Sequence, residues 1–331
     1  MKLLILGGTK FFGLEFAAAR AQAGDDVTVF SRACPVSGLP HSVAQINGDR
    51  ENREALLALS RRNWDAVVDN ICYSPAHAET ACTVFSGRTR LYVFTSTGDV
   101  HLPLEGAASP YTEEMAHNLP AKPGFAADPA NAYAWGKYQA EAVFLKARLA
   151  VDFPVCIARF PIVIGPREPR QRALSYWLRL ADGFPLVLPD GGNYYRRYIY
   201  SGDCVRALSA VIDNPHKTMW ETFHFGDSAP ITLREFITVS AQELNLKQNV
   251  ASAPYEKLLK LGFGPDWSPF FHPGHYVLGI TKAEHALGWR STPLRDWLRA
   301  TAADELAAAD PQLPPPGYRS RQTELSIIDK L

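Results

Sequence analysis

The sequence has no excess of charge of either sign. Its 331 residues include 34 Lys and Arg and 34 Asp and Glu, so the formal net charge is zero. Zero net charge excludes a generally basic nucleic-acid binder. The chain also has no run of about 18 apolar residues, and the opening segment 3–6 is too short for a membrane span or a signal sequence. We therefore expect a cytoplasmic protein with no nucleic-acid or membrane partner.

Cysteine is scarce and lacks the spacing of a disulfide framework or a zinc site. There are five cysteines, an odd number, spread far apart and without a Cys-x-x-Cys pair. We expect them to be small buried side chains and predict no metal site. They are Cys34, Cys72, Cys82, Cys156 and Cys204.

Apolar residues are plentiful. They make up 47% of the chain, against 21% charged residues, which is close to the composition of ordinary globular proteins. A large core is therefore possible, and a disordered or fibrous chain is excluded. The length predicts about two domains of roughly 150 residues each.

The first thirty residues predict a β-α-β unit. A strand at 2–6 is followed by a Gly-Gly-Thr turn, a helix at 11–23 and a strand at 27–30. The apolar runs are not alternating, as expected for parallel strands covered on both faces. Further short apolar runs alternate with helical segments up to residue 158, which predicts an α/β fold with a Rossmann-type doubly wound parallel sheet.

The pattern changes after Pro166, where short strands and helices are mixed. Thr232 and Glu235 form a capping-box pattern that predicts the start of a helix. We predict a dinucleotide-binding domain at 1–165. Residues 166–310 would form mainly a smaller mixed α/β substrate-binding part, with some of its segments joining the sheet of the first domain. Residues 311–331 would be a Pro-rich tail, either mobile or docked on a neighbour.

The first strand and helix are joined by a glycine-rich turn. Gly7 suits a tight turn, Gly8 a close approach of the backbone to a pyrophosphate, and Gly13 close packing of the helix on the strand. Lys10 stands where a glycine is common; its ammonium either approaches the cofactor phosphates or points to water. The predicted cofactor-binding residues of the turn are Gly7, Gly8, Thr9, Lys10, Phe11, Phe12 and Gly13.

The end of the second strand bears on the choice of cofactor. NAD-binding proteins place a carboxylate there, whereas this chain has Ser31 and Arg32, which favour the 2′-phosphate of NADP(H). NAD(H) remains possible, since Arg32 alternatively stacks on the adenine. Asp49 is placed either to accept from the adenine amino group or to cap a helix. We group the neighbouring Arg50 with the cofactor-binding residues.

Tyr133 and Lys137 are four residues apart in a predicted helix and therefore share one helix face. An ammonium beside a phenol stabilises the phenolate, so the tyrosine can exchange a proton with a substrate oxygen. Thr97 follows an apolar strand, at the strand end where ligands of parallel sheets bind. It either donates a hydrogen bond to the reacting oxygen or caps a turn.

These residues resemble the extended or atypical short-chain dehydrogenase/reductases, grouped with the NAD-dependent epimerase/dehydratases. The glycine turn, the Thr97…Tyr133-x-x-x-Lys137 set and segments 159–166, 196–203 and 282–289 are similar to elements of that family. The resemblance implies a Rossmann sheet, a small C-terminal substrate domain and a homodimer. It also implies that Tyr133 exchanges the proton, Lys137 orients the nicotinamide ribose, Thr97 holds the substrate oxygen and Phe160 lies at the cofactor.

The resemblance leaves the reaction open, because the whole family uses hydride transfer. Asp99 follows Thr97 where sugar dehydratases carry other acids, and it is either a base or a loop carboxylate. Arg196 aligns with an arginine that binds the diphosphate of nucleotide sugars, or pairs with a nearby aspartate. Tyr194 belongs to an aromatic group that lines a substrate site or packs in the core. Asp99, Tyr194 and Arg196 are our candidate substrate-binding residues.

We predict an NADP-preferring oxidoreductase that transfers a hydride between nicotinamide and a carbonyl, imine or alcohol of a small metabolite. The alternative is a nucleotide-sugar epimerase or dehydratase that retains its NAD(P). A third possibility is a non-catalytic cofactor-binding or RNA-associated member of the same family. The intact Thr97, Tyr133 and Lys137 argue against the third.

Overall fold

The chain forms two compact units in the computed structural model, which describes residues 1–331 apart from the side chain of Pro265. Unit 1 comprises Met1–Ile162, Ser201–Gly226 and Leu278–Arg290; unit 2 comprises Val163–Tyr200, Asp227–Val277 and Ser291–Leu331. The strands are β1 (Lys2–Leu6), β2 (Asp26–Ser31), β3 (Ala44–Asn47), β4 (Ala66–Asp69), β5 (Tyr92–Thr97), β6 (Val155–Phe160), β7 (Ile162–Ile164), β8 (Leu186–Pro189), β9 (Tyr195–Arg196), β10 (Tyr198–Tyr200), β11 (Thr222–His224), β12 (Ile231–Thr232) and β13 (Val250–Ala253). The helices are α1 (Phe11–Gln22), α2 (Arg53–Leu59), α3 (Pro75–Phe85), α4 (Met115–Asn118), α5 (Ala132–Val151), α6 (Arg172–Asp182), α7 (Ser201–Asp213), α8 (Pro215–Thr218), α9 (Leu233–Glu243), α10 (Tyr255–Lys260), α11 (Thr281–Leu287), α12 (Leu294–Ala307) and α13 (Arg321–Ile328).

Unit 1 is built on a seven-stranded sheet in the order β3-β2-β1-β4-β5-β6-β11. Every neighbouring pair is parallel, and the central strands are buried along their length. The predicted Rossmann-type doubly wound parallel sheet is therefore confirmed. The strand order reverses between β1 and β4, and the crevice at such a reversal is where ligands of these sheets bind.

An aromatic cluster fixes α5 on the sheet. The Tyr92 ring lies 5.8 Å from Phe85 of α3, 5.3 Å from Phe144 of α5 and 5.4 Å from Phe153, measured between ring centroids. All four side chains are fully buried. Burial of each stabilises the fold by about 1.5–3 kcal/mol relative to exposure. The position of α5 beside β5 is thus set by its apolar face.

Unit 2 contains short paired strands, with β8 parallel to β13 and β9 antiparallel to β12. The predicted capping box is confirmed at the start of α9, where Thr232 and Glu235 bond each other's backbone N–H. Leu188 and Pro189, just before the Gly-Gly turn at 191–192, still belong to β8 because they pair with β13.

Residues 311–331, which the sequence set apart as a tail, fold as part of unit 2 and carry α13. Arg321 donates to both carboxylate oxygens of Asp182, and Glu324 accepts from Arg179 at 2.8 Å. Arg179 and Glu324 are each 1% exposed. Ile327 is buried in an apolar cluster of the same unit. Ion pairs and apolar packing therefore order the Pro-rich end of the chain.

Candidate active site

The glycine turn leads from β1 into α1. Gly7 has a φ of +85°, which favours glycine, and a Cβ on Gly13 would lie 2.9 Å from the carbonyl oxygen of Gly7. A side chain at position 13 would therefore push the helix away from the turn. The sequence predicted this role of Gly13 from spacing alone.

The start of α1 fits the pyrophosphate of a dinucleotide. Lys10 is the N-cap residue and makes no capping hydrogen bond through its side chain, and the first turn carries no acidic residue. The backbone N–H groups of this first turn form the positive end of the helix dipole. This is the end of a helix that binds anions. Lys10 itself is exposed.

Aromatic rings pack behind this turn. Phe12 lies 6.0 Å from Phe160, which in turn lies 5.8 Å from Phe225, and Phe11 packs against Phe12 at 5.6 Å. Phe160 is only 3% exposed. The structure thus gives Phe160 a packing role beside the turn, and its contact with a cofactor stays a prediction.

Ser31 and Arg32 follow β2 next to the turn. The Ser31 hydroxyl lies 3.1 Å from the hydroxyl of Thr9. The Arg32 side chain is 80% exposed, and its nearest guanidinium nitrogen is 3.7 Å from the Asp49 carboxylate. Asp49 accepts from the N–H of Glu51, while Asn52 is the residue that caps α2. The helix-capping alternative for Asp49 is therefore wrong.

Arg50 occupies a different place from the one we predicted. Instead of reaching outward to a cofactor, its Nη1 donates to both carboxylate oxygens of Asp69 at 2.8 Å, and its Nη2 donates to the His77 carbonyl. Both charged groups are buried, and Tyr92 donates a further hydrogen bond to Asp69 at 2.5 Å. Burial opposes the charge on Arg50, but Asp69 outweighs it and raises the pKa of the guanidinium. Arg50 is thus an ion-pair residue of the core.

The three predicted catalytic residues all lie in unit 1. Thr97 ends β5 and is 7% exposed; Tyr133 lies in the first turn of α5 and is 45% exposed. Lys137, one turn further along α5, is 2% exposed, and its Nζ donates to the Thr95 carbonyl at 2.7 Å. The helix therefore carries a solvent-facing phenol and a buried amine at the carboxyl end of the sheet.

Burial away from water lowers the pKa of Lys137 to about 8, although Asp69 partly opposes this by favouring the ammonium. The amine is still mostly protonated at neutral pH and can stabilise a neighbouring phenolate. Thr97 accepts a hydrogen bond from the N–H of Asp99 at 3.2 Å, so it caps the turn after β5. A hydroxyl that accepts in this way still carries a hydrogen to donate.

Sequence reasoning missed Tyr73, which follows β4. Its ring lies 6.2 Å from the ring of Tyr133 and 4.9 Å from Nζ of Lys137. The available signal was its place shortly after the buried strand β4, since Thr97 likewise lies at the end of the buried strand β5. The carboxyl ends of parallel strands share one sheet edge, so both residues were candidates for the site.

Glu141, a second residue that the sequence did not single out, fixes α5 to the sheet. It is fully buried and accepts from Arg159 of β6 at 2.6 Å, from Ser96 of β5 at 2.5 Å and from His117 at 2.8 Å. Burial alone would raise the pKa of Glu141, but Arg159 and His117 outweigh it and hold the pKa well below its usual range. Because Glu141 lies one turn beyond Lys137, this cluster positions the face of α5 that carries Lys137.

The candidate substrate residues Tyr194 and Arg196 lie in unit 2. Nη2 of Arg196 donates to the carbonyls of His272 and Gly274, and the side chain is buried over the Tyr276 ring. Tyr194 packs against the rings of Phe271 and His275. The 272–274 loop thus holds the Arg196 side chain, and the contact of Arg196 with a diphosphate stays a prediction.

The described residues contain neither a candidate membrane span nor a candidate metal site. No described helix is long and apolar enough to cross a membrane. Nowhere in the described chain do three or more His, Cys, Asp or Glu side chains gather as a metal site would need. All five cysteines are free thiols, and Cys82 alone among them is not fully buried.

The sequence is similar to curated proteins whose names describe different functions. It is 23% identical over 305 residues to the chloroplast stem-loop binding protein of 41 kDa b from Arabidopsis thaliana, covering 87% of this chain and 75% of that protein. It is 25% identical over 181 residues to the uncharacterized UDP-glucose epimerase YtcB of Bacillus subtilis, covering 53% of this chain and 52% of that one.

Solved structures share the fold at lower identity. UDP-glucose 4-epimerase of Thermotoga maritima superposes with a TM-score of 0.72 at 18% identity, covering 94% of this chain and all of that chain. dTDP-glucose 4,6-dehydratase of Bacillus anthracis, solved with NAD, gives a TM-score of 0.74 at 17% identity, covering 93% and 97%.

A family model covers most of unit 1. Residues 3–221 match the model of the NAD dependent epimerase/dehydratase family, and this range contains the glycine turn, Thr97, Tyr133 and Lys137. The matched range exceeds half of the chain and agrees with the resemblance found in the sequence. The chain belongs to the NAD dependent epimerase/dehydratase family.

Proposed function

We propose that the protein is an NAD(P)-dependent epimerase or dehydratase that acts on a nucleotide sugar and retains its cofactor through the reaction. The observation that carries the proposal is the buried Lys137 amine, on the same helix as the exposed Tyr133 and beside the end of β5. From the sequence we preferred a net oxidoreductase. The family and the named relatives give more support to the alternative.

The proposed chemistry removes a hydride from one alcohol carbon and a proton from the hydroxyl group on that carbon. A bound nicotinamide would accept the hydride from that carbon. Tyr133 takes the hydroxyl proton as the C=O bond forms, Thr97 donates a hydrogen bond to the same oxygen, and Lys137 stabilises the phenolate. Returning the hydride to the opposite face and the proton to the oxygen gives the epimer, so no net redox change occurs.

Replacing Tyr133 tests this mechanism. Tyr133→Phe removes the proton carrier and should lower kcat about 10²- to 10⁴-fold, with little change in the Kd of the cofactor. Tyr138→Phe, on the same helix, is the control and should keep its turnover. Unchanged turnover in Tyr133→Phe would remove this residue from the mechanism.

The type of reaction is decided by following the nicotinamide. A panel of nucleotide sugars and simple carbonyl compounds is incubated with the enzyme while absorbance at the reduced nicotinamide band and product formation are recorded. Product without net cofactor consumption supports an epimerase or dehydratase. Sustained consumption would instead support the net oxidoreductase.

We also propose that NADP(H) is preferred. Arg32, directly after β2, is an exposed cation, and position 31 holds a serine where NAD-binding proteins place a carboxylate. Arg32→Ala should weaken NADPH about tenfold or more and leave NADH nearly unchanged, since a charge-assisted bond to the 2′-phosphate is lost. The control is Arg88→Ala, another exposed arginine. Equal losses for both cofactors would show adenine stacking instead.

A non-catalytic, RNA-associated role is the competing proposal, because one relative is named for binding a stem-loop. The zero net charge gives it no electrostatic support. RNA affinity that falls steeply with salt, in a preparation without turnover on any compound of the panel, would favour it. We further propose a homodimer acting on a small-molecule substrate, as the family resemblance implies.

A further inference from the structure

Lys137 is enclosed by aromatic rings. Its Nζ lies 4.9 Å from the ring centre of Tyr73 and 4.7 Å from that of Phe94, and it donates to the Thr95 carbonyl at 2.7 Å. Phe94 and the Thr95 carbonyl belong to the rigid strand β5. Tyr73 comes from the segment after β4, so it encloses the amine from a separate element.

The backbone of Tyr73 is held in place at two points. Its N–H donates to Nδ1 of His77 at 3.1 Å, at the start of α3. A Cβ on Gly136 would overlap the carbonyl oxygen of Tyr73, so α5 lies directly on this backbone. The backbone that carries the Tyr73 ring is thus held against α5, the helix that carries both Tyr133 and Lys137.

Tyr73 also supports the proposed proton carrier. The rings of Tyr73 and Tyr133 lie 6.2 Å apart at an angle of 49°, and each side chain is about half exposed, at 47% and 45%. Aromatic pairs in this range of distance and tilt attract each other. The Tyr73 ring therefore lies beside both the Tyr133 ring and the Lys137 amine.

The charges around Lys137 come from several elements. Asp69 and Glu141 favour its ammonium and Arg50 disfavours it, while burial raises the pKa of the neighbouring Cys72 to about 12 and keeps that thiol neutral. Asp69 is already paired with Arg50, and Glu141 with Arg159. Both carboxylates are thus already paired with arginines. The faces of the Tyr73 and Phe94 rings therefore contribute cation–π attraction that stabilises the Lys137 ammonium.

We propose that Tyr73 is a positioning residue of the active site, whose ring holds the Lys137 ammonium against β5 and supports the ring of Tyr133. This rests on the proposed function, in which those two residues act on the substrate. The contact itself exists independently of the reaction.

The test measures Lys137 directly. In ¹⁵N-lysine-labelled protein, the Nζ resonance of Lys137 is assigned by its loss in Lys137→Arg, and its titration midpoint is recorded. Tyr73→Leu keeps apolar bulk but removes the ring, so the midpoint should fall by about half a pH unit. Tyr73→Phe restores the ring and should return the midpoint. Phe184→Leu, at an exposed aromatic of unit 2, is the control.

Turnover is the second readout, with melting temperature recorded for each variant. Tyr73→Leu should lower kcat about tenfold and leave the cofactor Kd unchanged, since a positioning residue acts on the reacting groups. A midpoint that stays or rises in Tyr73→Leu, or that Tyr73→Phe fails to restore, overturns the proposal. If Tyr133→Phe keeps full turnover, the proposed function fails, while the Lys137 midpoint still decides the role of Tyr73.

Discussion

Lys137 and Glu141 are both buried on α5, one turn apart, yet burial affects them in opposite ways. Lys137 has a backbone carbonyl and two ring faces as its nearest partners, and burial lowers its pKa to about 8. Glu141 contacts Arg159 and His117, which hold its pKa below the usual range despite burial. The difference comes from the partners, because desolvation disfavours the charge in both cases.

Two buried histidines make stability depend on pH. Burial, followed by repulsion from Arg159, lowers the pKa of His101 to about 4 and that of His224 well below its usual value. The unfolded histidines take up protons near pH 6.5, whereas the folded ones stay neutral. This contribution to stability is therefore present above pH 6.5 and is lost as the pH falls.

We expect His101 alone to remove about 1.5 kcal/mol of unfolding free energy between pH 6.5 and pH 5. Urea unfolding at the two pH values measures this. His101→Asn should reduce the pH dependence, and the exposed His216→Asn should not. An unfolding free energy of the wild type that is equal at both pH values would contradict the prediction.

Among the helices, α5 contains a residue that is unfavourable for helix formation but is required by a tertiary contact. Gly136 lies inside the helix, where glycine costs about 1 kcal/mol relative to alanine. The structure gives the reason, since a Cβ there would overlap the Tyr73 carbonyl. Close approach of two backbones outweighs local helix propensity at this position.

Gly136→Ala should therefore destabilise the protein although it improves helix propensity. Forcing a Cβ into this contact costs about 1–3 kcal/mol, by analogy with overpacked cores. Denaturant unfolding measures the change. Leu149→Ala, on the same helix at a position 86% exposed, is the control and should be nearly neutral. A stabilised Gly136→Ala would show that the loop after β4 moves freely.

At the scale of the whole molecule, unit 2 depends on the end of the chain. Arg179 of α6 forms a buried ion pair with Glu324 of α13, which lies 145 positions later in the sequence. Removing one partner of such a pair leaves a buried charge without compensation. The C-terminal segment therefore belongs to the folded unit.

A chain that ends at Pro315 should lose about 3–5 kcal/mol from this uncompensated charge, and should melt at a lower temperature. Scanning calorimetry measures the loss. Cofactor binding should survive, since the glycine turn lies in unit 1. The control is Gln322→Ala in the full chain, an exposed position of α13. Equal melting temperatures of the truncated and full chains would contradict the prediction.

The parallel sheet, the glycine turn and the shared helix of Tyr133 and Lys137 could all be predicted before the fold was known. These are local patterns, in which residues a few positions apart fix a strand, a turn or a helix face. The pairing of Arg50 with Asp69, the position of Tyr73 beside Lys137 and the place of α13 in unit 2 became apparent from the folded chain alone. Those contacts join residues far apart in the chain, and their partners are chosen by packing and desolvation, which no local pattern records.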